Sequence, residues 1–294
     1  MQEYLNDYLN THKKKIDEEL IKYLQCLSIP NQLKESMIYS VEAGGKRLRP
    51  ILLFASCEAY GGEISNVLSS AAALEMIHTY SLIHDDLPAM DDDDYRRGKP
   101  TNHKVFNEAT AILAGDALLT YSFKIIADDP KLKDKQKVVL SRLLANVSGP
   151  GGMVGGQIMD MEAEKKPATL EELERIHALK TGELLRFAVY AGAYLSDATD
   201  KQLKALTIFA YYLGLIFQVQ DDILDVVGDP EKIGKNVGSD EHNQKSTYPG
   251  LLGIDGAKKQ KRLYVDKARQ ALKEAGALDT VLDSLIVHFS QRDH

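Results

Sequence analysis

The chain has 294 residues, of which 44% are hydrophobic and 27% charged. These are ordinary globular proportions and exclude disordered, collagen-like and low-complexity architectures. A formal net charge of -7 argues against nucleic acid as the main partner, since such partners need a basic face. It also means that an anionic substrate would have to be held by local cations or bound metal.

The two cysteines, Cys26 and Cys57, lie in apolar-periodic segments without C-x-x-C spacing. They read as buried, reduced thiols in a cytoplasmic protein, not as a disulfide or zinc ligands. The amino terminus is polar and shows no secretory signal. No apolar run approaches the length of a bilayer-crossing helix, so no membrane span is expected.

Apolar residues recur at three- and four-residue spacing between nine prolines, which predicts helices. In chain order they are expected at 3–26, 48–59, 64–87, 102–127, 135–147, 170–194, 200–227, 257–275 and 278–289. In the helix over 64–87, Ile64, Val67, Leu68, Ala71, Leu74 and Ile77 share one face. Asp200 is the expected N-cap of the 200–227 helix, and Gly228, Asp229 and Pro230 stop it. No stretch alternates well enough to predict a strand. The expectation is a single all-α domain over 1–294. The Gly-rich run 148–157 is expected to break and tightly pack two helices. The polar stretch 228–250, with Gly234 and Gly238, is expected to be a lid loop.

Two acidic clusters carry the chemistry. In FQVQDDILDVVGD, Asp221 and Asp225 are four apart and stack on one helix face, with Asp222 beside them. Crowded, half-buried carboxylates resist ionisation, and a hard divalent cation relieves that cost. Mg²⁺ takes one or two carboxylates and completes its shell with water and phosphate. In SLIHDDLPAMDDDDYRRGKP, Asp85 and Asp86 end an apolar helix, and Asp91 follows six residues after Asp85. On an uninterrupted helix Asp91 would point away, so the backbone around Pro88 must bend if the two are to share a metal. Arg96 and Arg97 come next, and guanidinium groups suit bidentate phosphate contact. A lone Asp-Asp pair is ordinarily a cap or a solvated face, and Asp92, Asp93 and Asp94 read partly as such a run. Two clusters at the ends of core helices, one followed by Arg-Arg, point instead to a diphosphate site.

EAGGKRLRP places Lys46, Arg47 and Arg49 after two glycines at a helix start, a second anion site that needs no metal. His78, Lys180, Thr181 and Gln218 are individually ambiguous on spacing. Tyr80 is five residues before Asp85, roughly 7.5 Å along a helix, with the small Ser81 beside it. An aromatic ring there would stop a growing chain.

These segments, together with HTYSLIHDDLPAMDDDDYRRGKPTNHKVF, AGDALLTYSF, GGMVGGQ, HALKTGELL and GKNVGSDEHNQKSTYP, closely resemble the trans-isoprenyl diphosphate synthases. The resemblance implies the isoprenoid synthase fold: long antiparallel helices around a deep central cavity, in a homodimer. It implies an Mg²⁺-dependent head-to-tail (1'-4) condensation of isopentenyl diphosphate with dimethylallyl or geranyl diphosphate, giving the C15 farnesyl chain.

Asp85, Asp86, Asp91, Asp221 and Asp225 would hold the metal, three ions once the allylic diphosphate is bound, with Asp222 acting through water or another residue. Arg96, Lys180 and Lys235 would contact the allylic diphosphate, with Lys245 nearby. Thr181 and Gln218 would line the reacting centre, and Lys46, Arg49, His78 and Arg97 would hold isopentenyl diphosphate. The lid over Lys235 would exclude water. Family carboxyl termini often close the site with basic residues, and the ending Arg292-Asp293-His294 is a reduced version of that.

Three alternatives stand beside this reading. A geranylgeranyl (C20) synthase would differ mainly at the Tyr80 floor. A class I terpene cyclase is disfavoured by the triple-Asp second motif. A non-catalytic prenyltransferase subunit is disfavoured because neither aspartate motif is lost.

Overall fold

The computed structural model describes residues 2–164, 166, 168–227 and 246–292. The chain clusters into two compact units, residues 1–54 with 63–144 and residues 55–62 with 145–294.

In the first unit, α1 (Gln2–Gln25) buries Leu5, Tyr8, His12, Ile16, Leu20 and Leu24, a stripe at three- and four-residue spacing. It packs on α2 (Asn31–Glu42) and on α4 (Leu68–Asp85). The α4 helix is apolar on nearly every side, which is why 12 of its 18 residues are buried. A 3₁₀ turn, Ile64–Asn66, precedes it, so the predicted helix over 64–87 begins four residues late. Between α2 and α4 runs α3 (Leu48–Ala59), bounded as the periodicity predicted.

After α4 comes a two-residue hairpin, β1 (Tyr95–Arg96) and β2 (Lys99–Pro100), too short for any alternation to announce. The predicted helix over 102–127 is divided into α5 (Asn102–Phe106) and α6 (Glu108–Ala127). Asn107 divides it: its φ is 85°, and its side chain accepts from Thr110 N at 3.0 Å, giving α6 an N-cap. The helix α7 (Asp134–Ser148) follows.

The second unit holds α8 (Met153–Ala163), α9 (Leu170–His177), α10 (Glu183–Leu195), α11 (Asp200–Val227), α12 (Tyr248–Glu274) and α13 (Val281–Gln291). The expected helix over 170–194 is interrupted by a π-helical turn, Ala178–Gly182, a feature that often marks functional sites. Thr199, not Asp200, exchanges capping bonds at the start of α11: its amide donates to Gln202 Oε1 at 2.8 Å. Neither α2 nor α8 was expected. The short polar-rich pattern of α2 and the glycines of α8 hide their periodicity.

Length and composition alone would let α6 and α11 cross a bilayer, contrary to the expectation that no run comes close. The apolar window of α11 is 56% buried within the protein, as a core helix would be.

Candidate active site

In the first unit, α4 ends at Asp85 with Asp86 as its C-cap. The chain then folds back. Met90 N donates to Leu87 O at 2.8 Å, and Asp91 N donates to Asp85 O at 2.9 Å. Asp92 takes a left-handed φ of 51° to close the turn. The bend demanded by the sequence is therefore present, and Asp91 lies against the helix end that carries Asp85. His84, one residue earlier, bonds Ile112 O of α6 through Nε2 at 3.1 Å and fixes that end.

Asp86 is 3% exposed. Its Oδ1 accepts from Arg96 Nε at 2.6 Å and lies 2.5 Å from Nη2. Burial raises the Asp86 carboxyl above its ordinary range, with Arg96 opposing. Two residues expected to grip a metal and a diphosphate separately are thus paired with each other. Arg96 also reaches Asp93 at 3.4 Å, and Asp94 pairs with Lys104 at 2.6 Å, as a solvated run would. Thr101 ties the hairpin down, its Oγ1 donating to Asp93 O at 2.7 Å.

Arg97, at φ 56°, donates to Gly44 O and so reaches the GGKRLRP loop. The half-buried His78 has its imidazole pushed well below the ordinary range, first by burial and then by Arg49, Arg97, Arg47 and Arg96. The structure therefore gathers Arg49, Arg97 and His78, and exposed Lys46 stands in the same loop. Arg47 differs from its neighbours. It is 3% exposed and bonded to Asp17 at 2.7 Å and Glu75 at 2.8 Å. Removing one partner of such a buried pair costs roughly 3–5 kcal/mol.

Tyr80 is buried and stands edge-on to His84, ring centroids 5.7 Å apart. Ser81 turns its hydroxyl onto His78 O of its own helix at 2.9 Å.

In the second unit, glycines set the spacing. A Cβ at Gly214 of α11 would meet Gly182 Cα at 2.8 Å, and one at Gly156 of α8 would meet Lys180 N at 2.4 Å. The backbones consequently touch around the π turn. Thr181 Oγ1 donates to Gln218 Oε1 at 3.1 Å, and Lys180 Nζ pairs with Asp160 Oδ2 of α8 at 2.6 Å. These groups line a cavity of about 150 Å³ with His177, Asp222, Ser246 and Thr247. His177 is held neutral, its pKa pushed down to about 4 mainly by burial. Its ring stacks on Tyr248 at 5.9 Å.

Asp221 pairs with Arg292. Arg292 also donates to Phe217 O at 2.8 Å and lies 3.7 Å over the Phe217 ring. The carboxyl-terminal arginine is thus engaged with the second cluster. Asp222 is buried and accepts from Tyr248 N at 2.9 Å, anchoring the start of α12. Asp225 is half-buried on the same helix face as Asp221. Lys235, Lys245 and most of the predicted lid lie outside the described residues.

Among the described residues no group of three or more His, Cys, Asp or Glu side chains converges as a ready metal site. The donor chemistry nonetheless suits Mg²⁺: carboxylates only, one or two at a time, with water and phosphate to complete the shell. Sequence reasoning missed Asp160, Glu75, Asp17 and His177. Asp160 lies only three residues beyond the quoted GGMVGGQ motif, facing a lysine that had been singled out.

The polyprenyl synthetase family profile matches residues 30–285. A farnesyl diphosphate synthase of Bacillus subtilis (strain 168) is 49% identical over 99% of this chain and 99% of its own. That of Geobacillus stearothermophilus is also 49% identical, over 99% and 98%. A solved structure of a putative farnesyl-diphosphate synthase from Marinomonas sp. MED121 superposes with a TM-score of 0.84. It is 38% identical and covers 98% of this chain and 99% of that one.

Proposed function

This chain belongs to the polyprenyl synthetase family and is a prenyltransferase, and we propose that it condenses isopentenyl diphosphate with dimethylallyl or geranyl diphosphate to make farnesyl diphosphate. The observation that carries the reading furthest is the 2.9 Å bond from Asp91 N to Asp85 O. An uninterrupted helix would part these carboxylates, whereas a shared ion needs them together.

Asp85 and Asp91 in one cluster, and Asp221 and Asp225 in the other, are the carboxylates assigned to Mg²⁺, with three ions present once the allylic diphosphate is in place. Asp86, whose Oδ1 is held by Arg96, would join them through Oδ2. When bound, the metal neutralises charge on the departing diphosphate. Arg96 and Lys180 supply further positive charge, and Lys235 of the lid is assigned the same task.

The allylic C–O bond breaks and its electron pair leaves with the diphosphate. Thr181 and Gln218, already ordered on one another, turn oxygen dipoles to the cation. Lys46, Arg49, His78 and Arg97 hold isopentenyl diphosphate so that its terminal alkene carbon attacks the allylic carbon. The attack leaves the positive charge on the methyl-bearing alkene carbon, and a proton from the methylene beside it passes to the released diphosphate, which restores a double bond. Buried Tyr80 supports a C15 limit over the C20 alternative. We assign the whole of 1–294 to one catalytic domain working as a cytoplasmic homodimer. The exposed apolar residues Ile112 and Leu113 on α6 support an association surface.

The test is incubation with labelled isopentenyl diphosphate and each allylic starter, with and without Mg²⁺. A C15 product that depends on the metal is expected. No product with any starter, or equal product without metal, would contradict the reading.

A further inference from the structure

The loop before α3 and the first turn of α3 hold three cations of two kinds. Lys46 is exposed and Arg49 half-buried, but Arg47 between them is turned inward. Its guanidinium ties together three helices: Nε donates to Asp17 Oδ1 of α1 at 2.7 Å, Nη1 to Glu75 Oε1 of α4 at 2.8 Å, and Nη2 to Val41 O of α2 at 2.5 Å. Glu75 is 2% exposed, so this is a buried pair, not a surface contact.

The backbone of Arg47 is also unusual. Its φ of 52° lies in the left-handed region that non-glycine residues avoid unless their surroundings hold them there. The three bonds supply that hold. With Arg47 fixed, the peptides leading to Lys46 and on to Arg49 have fixed directions. Glu75 stands one helical turn before His78 on α4. One ion pair therefore joins the segment that carries Lys46 and, in the first turn of α3, Arg49 to the helix turn that carries the histidine. Glu75 moreover bears on two arginines, bonded to Arg47 and opposing the charge of Arg97. Its charge offsets part of the repulsion between Arg47 and Arg97.

We infer that Arg47, clamped by Glu75 and Asp17, is a positioning residue that sets the spacing of Lys46 and Arg49 against His78 for isopentenyl diphosphate. This rests on the proposed function, which assigns those three residues to that substrate.

The experiment compares Michaelis constants for both substrates, kcat and Tm in five variants. Lys46→Ala and Arg49→Ala test the underlying assignment. Glu75→Gln and Arg47→Lys loosen the clamp while keeping polar contacts. The double variant Arg47→Met with Glu75→Leu removes both buried charges together, which proteins commonly tolerate without loss of stability.

In the double variant the KM for isopentenyl diphosphate should rise about tenfold or more, while that for the allylic substrate changes less than about twofold. Glu75→Gln and Arg47→Lys should move the same constant by a smaller factor, and they carry the test should the double variant fail to fold. An unchanged isopentenyl KM in the clamp variants, or an equal rise in both Michaelis constants, overturns the inference if Lys46→Ala and Arg49→Ala still raise it. If those two alanine variants leave it unchanged, the assignment of the site itself fails.

Discussion

At the end of α4, Asp86 is 3% exposed and takes its bonds from Arg96, ten residues further along the chain. In α11, Asp221 has a side chain 42% exposed and is paired with Arg292, 71 residues further along. Both clusters neutralise a carboxylate with an arginine, but one does so within a single turn and hairpin, the other with the end of the chain. At Asp86 the buried partner is the carboxylate, which cannot be left alone there, whereas its arginine is 26% exposed. In the α11 pair the buried partner is the cation: the Arg292 side chain is 6% exposed, and it is the carboxylate of Asp221 that water can screen when the pair opens. A metal can therefore take Asp221 while Arg292 keeps its bond to Phe217 O and its place over the Phe217 ring.

The largest expected effect would break the comparison if it failed in either cluster. Asp85→Ala and Asp221→Ala should each lower kcat by about a thousandfold or more, with helical circular dichroism unchanged. Near-normal turnover in either one would remove that cluster from the chemistry.

Next comes the acid response of the second unit. The pKa of folded His177 is about 4, below the ordinary 6.5. As pH falls from 6.5 to 4 the unfolded chain takes up a proton that the folded chain refuses, so stability falls through that window and levels off below it. The loss should approach about 3 kcal/mol. Urea unfolding at pH 7 and pH 4.5 should show a smaller difference in His177→Gln than in the parent. His78 in the first unit acts in the same direction and should keep part of the slope.

Tyr80→Ala sharpens the assignment of the first cluster's helix to chain length. It should raise the ratio of longer to C15 products by about a hundredfold, with Ile77 and Leu74 as the next floor one and two turns down α4. Product chromatography that still shows only C15 would move the floor elsewhere.

The smallest effects address the two arginines directly. Arg96→Gln leaves Asp86 buried without its cation and should cost about 2 kcal/mol of stability. Arg292→Gln leaves Asp221, 42% exposed, to water; it should cost less than Arg96→Gln and lower the Mg²⁺ concentration needed for half-maximal turnover. Thermal unfolding and a metal titration of each variant would measure this. Equal destabilisation by the two would erase the distinction between a built-in pair and an exchangeable one.

What the sequence made legible follows the same division. The ends of α3, the acidic helix ends and the need for a bend after Asp85 were readable because each depends on neighbours within a few residues. The interruption at Asn107, the π turn at Ala178–Gly182 and the helix α8 were not, because glycine contacts and a side-chain cap override a pattern that looks continuous. The partners of charged residues were hardest. Arg47 looked like its neighbours Lys46 and Arg49, and only Glu75 and Asp17, brought from two other helices, show that it faces inward. Asp160 and Arg292 were obscured for the same reason, since composition does not say which distant opposite charge a side chain will meet.

The account depends on both clusters gripping one diphosphate. Its most direct test is equilibrium binding of a non-ionisable allylic diphosphate analogue, with Mn²⁺ in place of Mg²⁺, to the parent chain, Asp85→Ala and Asp221→Ala. The account predicts that tight binding needs the metal and is weakened in both variants, with fewer ions bound alongside the analogue. Full affinity in either variant, or tight binding without metal, would contradict it.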